Sequence, residues 1–276
     1  DCRASLERAR QLRGPSHRET IDANRQLAAL YVDLGRFTEA ESMFVQALEW
    51  MRQRFDPLHP DMARAYNSMA VVAWERGDLE RAVGFQQRAV AAWRKSGNAG
   101  LIAAGVFNLA MILHDAGRDR EALPLAREAV ALRARQYGAG HAVVGDGERL
   151  HGEILAALAQ PEAARAALEK AVRLTRAGFG PRHSHTRRAE ISLARLQAQQ
   201  GDQPALARLV GLGDHPGGDL EQRKAVWLAR AYAADLQCAE RPRGARLALD
   251  AVLADMRPLL PGGGAIPREV QRLRGG

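Results

Sequence analysis

A chain of 276 residues is long enough for one large core or for an elongated array, so its length leaves the domain count between one and two. Hydrophobic residues make up 46% of it but aromatic residues only 5%, which favours closely packed helices over β-sheets, so we expect an all-α protein. The net charge of +8 does not predict a nucleic-acid partner, because the basic residues are interspersed with 32 acidic ones and form no long run or binding motif.

The chain begins at Asp1, without a methionine, in the amphipathic segment CRASLERARQL, and it shows no signal-peptide pattern. We interpret this beginning as a half repeat of a fragment or processed product, and we expect a cytoplasmic location. The longest uncharged run lies between Lys95 and Asp115 and is just long enough to be weighed as a membrane span. Because it also falls on the repeat described next, we predict a buried helix there and no membrane span.

Small residues recur along the chain at a period of about 40 residues. Gly35, Gly77, Gly117 and Gly201 are separated by 42, 40 and 84 residues, and Ala159 takes the missing place in the last interval. Further small residues lie at fixed distances from these five positions. Seven residues before them stand Ala28, Ala70, Ala110, Gly152 and Ala194. Five residues after them stand Ala40, Ala82, Ala122 and Ala164, and twelve residues after them stand Ala47, Ala89, Ala129 and Ala171. Helices approach closely where side chains are small, and glycine allows a left-handed turn between them. Each unit is therefore predicted to be a helical hairpin that must stack on its neighbours.

In chain order we predict five hairpins and a terminal pair. The hairpins are Arg18–Leu34 with Phe37–Phe55, Asp61–Arg76 with Leu79–Lys95, Leu101–Ala116 with Arg120–Tyr137, Ala142–Leu158 with Glu162–Arg176, and His185–Gln200 with Pro204–Leu212. The fifth is predicted to be shortened, since Leu206 stands where alanine is expected and Gly213 where its second helix should continue. Residues 1–212 thus form the repeat array. Residues 213–276 are predicted to form a cap made of a degenerate helix pair, Leu220–Ala239 with Ala245–Leu260, and a Pro/Gly tail.

The segments NRQLAALYVDLGRFTEAESMFVQAL and YNSMAVVAWERGDLERAVGFQQRAV resemble tetratricopeptide repeats, which carry small residues at their eighth, twentieth and twenty-seventh positions. The longer period and the closing segments Phe55–His59, Tyr137–His141 and Phe179–His183 are similar to the kinesin-light-chain type of repeat. The resemblance covers roughly residues 1–212 and implies a right-handed superhelical solenoid of antiparallel helix pairs. The array also resembles the C-terminal halves of bacterial signalling proteins such as serine/threonine kinases.

The loop histidines His17, His59, His141 and His183 recur at repeat spacing. Equivalent positions of packed helices lie about 10 Å apart, which is too far for them to share a metal ion. We therefore predict that these histidines cap the following helices or pack between repeats; the alternative is a metal site, for which only His183 and His185 are close enough. The chain contains no nucleotide-binding or hydrolase motif, so we expect neither catalysis nor a cofactor.

In tetratricopeptide folds, by resemblance, one face of each first helix lines a concave groove. The residues predicted to bind a ligand there are Arg25, Asn67, Val71, Trp74, Phe107, Asn108, Met111, His114 and Arg149. Asn67 and Asn108 correspond to the paired asparagines of kinesin-light-chain repeats, which by resemblance contact the backbone of a bound peptide. The alternative is that Trp74 and Phe107 pack between repeats.

The predicted function is a non-catalytic scaffold that binds a protein or peptide segment. Trp74 and Phe107 would receive an apolar anchor, while Arg25 and Arg149 would favour acidic residues around it. The alternative is a regulatory module of a larger bacterial serine/threonine kinase or other signalling protein, which would restrain its catalytic domain or recruit partners to it.

Overall fold

The computed structural model describes residues 2–15, 17–214, 218–238, 241–260 and 263–275, and within them the chain forms 14 α-helices and no strand. The all-α class is confirmed. The helices are α1 (Cys2–Arg13), α2 (Arg18–Asp33), α3 (Phe37–Arg52), α4 (Pro60–Arg76), α5 (Leu79–Ser96), α6 (Ala99–Asp115), α7 (Asp119–Tyr137), α8 (Ala142–Ala157), α9 (Pro161–Phe179), α10 (Ser184–Gln199), α11 (Gln203–Gly213), α12 (Leu220–Leu236), α13 (Pro242–Met256) and α14 (Ala265–Gly275).

The chain divides into two compact units. Unit 1 contains residues 1–116 and 262–265, and unit 2 contains residues 117–261 and 266–276. From α1 to α6 in unit 1, and from α7 to α13 in unit 2, helices that follow one another along the chain pack side by side, as predicted for stacked helical hairpins. No helix in the described residues is both long and apolar enough to cross a membrane.

The recurrent small residues lie where helices meet. All twelve recurrent alanines are at most 3% exposed, and Gly152 is buried too. At Gly152 a Cβ atom would lie 2.7 Å from Cγ of Leu168, closer than packing allows. The sequence prediction that these positions set the approach of the helices is confirmed, because a larger side chain at any of them would have to displace a neighbouring helix.

The turns inside the hairpins have the predicted left-handed conformation. The φ angles of Gly35, Gly77, Gly117 and Gly201 lie between 70° and 89°. Ala159, which takes the place of glycine in the fourth hairpin, has a φ of 55° and is the one residue other than glycine with positive φ in the described ranges. The backbone turn is therefore the same in all five hairpins, although only four have the residue that adopts it without strain.

Each hairpin that follows a histidine begins with that histidine as the helix N-cap. The Nδ1 atoms of His17, His59, His141 and His183 accept a hydrogen bond from the backbone N–H two residues later, at 3.2 to 3.3 Å. Three of these rings also stack on the aromatic residue four positions before them, with ring centroids 4.3 to 5.2 Å apart. The prediction that the loop histidines are capping residues is confirmed.

The core of unit 1 includes Phe44, Met62 and Met69, each at most 2% exposed. Trp93 of α5 is 3% exposed and lies against Gly105 of α6, where a Cβ atom would be 2.6 Å from the indole ring. The apolar run that was weighed as a membrane span thus forms helix α6 of the repeat. Its Gly105 leaves room for Trp93, the largest side chain of α5.

The end of the chain differs from the sequence prediction in one element. The helix pair α12 and α13 is confirmed, but the predicted Pro/Gly tail was wrong from Ala265 onward, where α14 begins. Val270 and Leu273 of α14 are buried in a cluster with Trp227 of α12 and Val252 of α13. The helix forms because apolar residues at 266, 270 and 273 share one face, a short pattern that the preceding glycines obscured.

The fifth hairpin is shortened as predicted, since α11 has only 11 residues. The residue in its close-packed position is Ala205, which is fully buried, whereas Leu206 is partly exposed. The sequence analysis expected the recurrent alanine at position 206, whereas in the structure Ala205, one residue earlier, takes that place. Asp202 caps α11 by accepting a hydrogen bond from the N–H of Ala205 at 3.0 Å.

Candidate protein-binding surface

Two asparagines of the predicted surface meet in unit 1. Nδ2 of Asn108 on α6 donates to Oδ1 of Asn67 on α4 at 3.1 Å, and Gln86 of α5 donates to the same oxygen at 3.2 Å. Gln86 also donates to the carbonyl oxygen of Gly105 at 3.1 Å, which places its amide inside the repeat. Both asparagines are partly exposed. Their bond therefore links two consecutive first helices at a surface that a ligand can reach.

Trp74 lies seven residues after Asn67 on α4, which is about two helical turns. Its indole is partly exposed, and its Nε1 donates to Oδ2 of Asp115 on α6 at 2.5 Å. A tryptophan that is partly exposed, with its N–H fixed by a neighbouring helix, presents a rigid apolar face. Trp74 is thus not enclosed in the core between repeats.

Val71, Met111 and His114 are partly exposed, whereas Phe107 is only 8% exposed. Val71 and Trp74 occupy one face of α4, and Met111 and His114 occupy the corresponding face of α6, since they are three residues apart in each helix. Phe107 contributes mainly to packing in this arrangement, in line with the alternative of an inter-repeat role for it. The other four side chains and the asparagine pair are therefore the members of this predicted set that are partly exposed.

Arg25 on α2 is partly exposed and forms an ion pair with Asp22, with 3.2 Å between Nη2 and Oδ1. The pair occurs within one helix, three residues apart, and such surface pairs contribute well under 1 kcal/mol. Arg25 is thus already paired with a carboxylate of its own helix, and a ligand would have to replace that ion pair.

Arg149 lies in unit 2 and is 4% exposed. Its guanidinium donates to Asp146 at 3.2 and 3.3 Å and to Glu153 at 2.6 Å, all on α8. Asp146 also accepts a hydrogen bond at 3.3 Å from Arg133 of α7. The structure places Arg149 in a buried ion network, so its charge is already balanced by protein carboxylates.

The partners in this network keep its groups charged. Burial alone would raise the pKa of the Asp146 carboxyl, but Arg149, His185 and Arg133 hold that pKa well below its ordinary value. Burial alone would lower the pKa of the Arg149 guanidinium, but Glu153 and Asp146 raise it above its ordinary value. Removing one partner of such a network leaves an uncompensated buried charge, which costs about 3–5 kcal/mol. Arg149 is therefore primarily a residue that holds α8 in place.

Sequence reasoning missed this network, although a signal for it exists. Asp146, Arg149 and Glu153 follow one another at the spacing of a single helical face, and the sequence analysis named only one of them as a binding residue. His185, the candidate metal ligand, instead directs its Nδ1 to Asp146 at 3.2 Å. No group of three or more potential metal ligands occurs in the ranges that the structure describes.

The fold and this surface define a helical-repeat protein. The family model for the tetratricopeptide repeat matches residues 1–49, 19–95 and 101–177, together more than half of the sequence. The chain belongs to the tetratricopeptide repeat family. A comparison with curated protein sequences finds no match.

Several solved structures have a similar fold. A Podosopora anserina structure of kinesin light chain nearly identical TPR-like repeats is 19% identical, covers 83% of this chain and 99% of its own, and gives a TM-score of 0.59. BtubC (BKLC) from P. vanneervenii is 23% identical; the match covers 79% of this chain and 92% of that one, with a TM-score of 0.62. A Rap protein complexed with Competence and Sporulation Factor is 13% identical; the match covers 94% of this chain and 76% of that one, with a TM-score of 0.63. At these identities the likeness concerns the fold, and it agrees with the predicted kinesin-light-chain type of repeat.

Proposed function

We propose that the chain is a scaffold that binds a protein or peptide segment on the surface formed by Asn67, Val71, Trp74, Asn108 and Met111 of unit 1. The observation that carries the proposal is the asparagine pair together with a partly exposed tryptophan, about two helical turns from Asn67 on the same face of α4. Within the described residues, neither Nδ2 of Asn67 nor Oδ1 of Asn108 takes part in a protein hydrogen bond. One amide thus retains donors and the other an acceptor, which is the combination that an extended peptide backbone requires.

The apolar part of the surface would receive a side chain of the partner. Trp74, Val71 and Met111 are apolar and partly exposed, and tryptophan is the residue type most enriched where partners bind tightly. Methionine adapts its shape to different ligands. A role in protein binding also agrees with the Rap structure, which was solved with Competence and Sporulation Factor bound to that protein.

The acidic character of the ligand has less support at this surface. Arg25 is paired with Asp22, and Arg149 is buried among carboxylates. We therefore propose an apolar anchor flanked by backbone hydrogen bonds as the main determinant of binding in unit 1. His114 would contact the same segment from α6.

The proposal can be tested with peptides selected from a random displayed library on the purified chain. Trp74→Ala should weaken the selected peptides by about 2 kcal/mol, roughly thirtyfold, because truncating an aromatic anchor removes the largest apolar contact. Asn108→Ala should also weaken them. Leu34→Ala is the matched control, since Leu34 is an apolar residue of unit 1 that is 54% exposed outside this surface.

Binding would be measured by titration calorimetry, and folding by circular dichroism. Peptides that bind Trp74→Ala as tightly as the original chain would place the site elsewhere. A loss of helicity in Trp74→Ala, with binding retained on cooling, would show that the indole acts in packing.

A further inference from the structure

Unit 2 contains a cavity of about 550 Å³, open to solvent, at the N-terminal ends of α10 and α12 and the C-terminal end of α11. The residues that line it include Pro181, Arg182, Arg187, Glu190, Leu212 and Gln222. Sites for small molecules have volumes of about 300–1,000 Å³, so the cavity is larger than a single inorganic ion requires. Its size fits a small organic ligand.

Hydrogen bonds hold the walls of the cavity in place. Thr186 of α10 is fully buried, and its hydroxyl donates to the carbonyl oxygen of Gly180 at 2.8 Å, which ties the loop before α10 to that helix. On the opposite side, Nε of Arg230 on α12 donates to the carbonyl oxygen of Gly213 at 2.7 Å. This bond fixes the end of α11 next to Leu212. The walls are therefore set before a ligand binds, which lowers the entropy that binding would cost.

The cavity is lined by two arginines that have no carboxylate partner. Nη1 of Arg187 is enclosed from solvent and has no hydrogen-bond acceptor. In the ranges that the structure describes, neither Arg182 nor Arg187 forms a side-chain hydrogen bond or an ion pair. The carboxylate in the lining, that of Glu190, is already bound to Nη2 of Arg176 at 2.7 Å. The lining thus carries positive charge that its own acidic residue does not balance.

The chemistry of these side chains favours a phosphate group. An enclosed N–H without an acceptor is costly, so a ligand that accepts a hydrogen bond from Arg187 gains from its desolvation. A guanidinium donates two parallel hydrogen bonds to phosphate oxygens, and a phosphate monoester carries up to two negative charges with three such oxygens. Pro181 and Leu212 add apolar wall for the organic part of the ligand.

We propose that this cavity binds the phosphate monoester of a small organic molecule. The phosphate lies at Arg187 and Arg182, and the organic group lies against Pro181 and Leu212. The site is separate from the surface proposed to bind a peptide in unit 1, and the two proposals do not depend on each other.

The test is titration calorimetry of the full chain with phenyl phosphate, inorganic phosphate, phenol and benzoate. Phenyl phosphate should bind about tenfold more tightly than inorganic phosphate, because its ring buries apolar surface against Pro181 and Leu212. Phenol, which lacks the charged group, should show no measurable binding. Benzoate should bind more weakly than phenyl phosphate, because it has one charge and two oxygens.

The variant Arg187→Gln should weaken phenyl phosphate binding by about tenfold or more, since it removes charge-assisted hydrogen bonds. Arg173→Gln is the matched control, because Arg173 is an exposed arginine of α9 and its replacement changes the net charge equally. It should change the affinity by less than about twofold. Arg182→Gln, at an exposed loop position, should also weaken binding, and it serves as the test if Arg187→Gln does not fold.

Thermal unfolding gives a second readout. Phenyl phosphate should raise the melting temperature of the original chain and of Arg173→Gln but not that of Arg187→Gln, because only a ligand that binds the folded state stabilises it. Trp74→Ala should bind phenyl phosphate like the original chain, which separates this site from the unit 1 surface. No binding of phenyl phosphate, equally tight binding of benzoate, or equal affinities of Arg187→Gln and Arg173→Gln would each overturn the proposal.

Discussion

Ala159 adopts a left-handed conformation that glycine adopts at the four equivalent turns. A residue with a Cβ atom pays about 1–2 kcal/mol for this conformation, while glycine adds some entropy to the unfolded chain. Ala159→Gly should therefore raise the free energy of unfolding by about 0.5–1 kcal/mol. Chemical denaturation monitored by circular dichroism would measure the change.

Gly117→Ala provides the reverse experiment. Gly117 has a φ of 71°, and a Cβ atom there would meet nothing within 4 Å, so only the backbone conformation opposes alanine. The variant should lose about 1 kcal/mol. If both substitutions shifted stability in the same direction, the strain at Ala159 would not be the cause.

At the scale of the element, the start of α8 depends on His141. Its Nδ1 accepts the N–H of Val143 at 3.2 Å, and its ring stacks on Tyr137 with centroids 5.2 Å apart. His141→Ala should lower the free energy of unfolding by about 1 kcal/mol, the usual effect of losing an N-cap. His141→Asn keeps an acceptor and should recover most of it. If both variants lost the same free energy of unfolding, the stacked ring of His141, and not its hydrogen-bond acceptor, would be the cause.

The packing of α7 depends on the size of one side chain. Ala122 is fully buried, so Ala122→Leu would force its neighbours apart and should cost about 1–3 kcal/mol. Ala131→Leu is the matched control on the same helix, because Ala131 is exposed, and it should change stability by less than about 0.5 kcal/mol. Thermal unfolding of the two variants would compare them. Similar melting temperatures would contradict the role of the recurrent alanines.

At the scale of the molecule, a stacked repeat must cover its last apolar face, and α14 does so in unit 2. Val270 is fully buried beside Trp227 and Val252. Val270→Asp would bury an unpaired charge and should destabilise unit 2 by about 3 kcal/mol or more. The neighbouring Gln271→Asp, at an exposed position, should have little effect.

Denaturation of these two variants, together with binding of a dye for exposed apolar surface, would measure the loss of the cap. Dye binding should rise for Val270→Asp alone. Identical unfolding curves for the two variants would mean that α14 contributes nothing to covering the repeat.

The sequence by itself determined the period, the hairpins and their close-packed positions. These features are local: left-handed turns need Gly35 or its equivalents, and helix starts need His59 or its equivalents, within a few residues of the element that they define. Predicted and observed helix ends therefore differ by only a few residues, as in α8, predicted at Ala142–Leu158 and observed at Ala142–Ala157. The family resemblance rested on the same local pattern.

Only the tertiary structure decided what the side chains between the helices do. The bond between Asn67 and Asn108 joins residues 41 positions apart, and the burial of Arg149 depends on carboxylates and on the helices packed around α8. Such contacts depend on the rotation and stagger of one helix against the next, which a repeat pattern leaves open. The sequence therefore identified the faces of the helices, whereas packing decided that Trp74 is partly exposed and that Arg149 is enclosed.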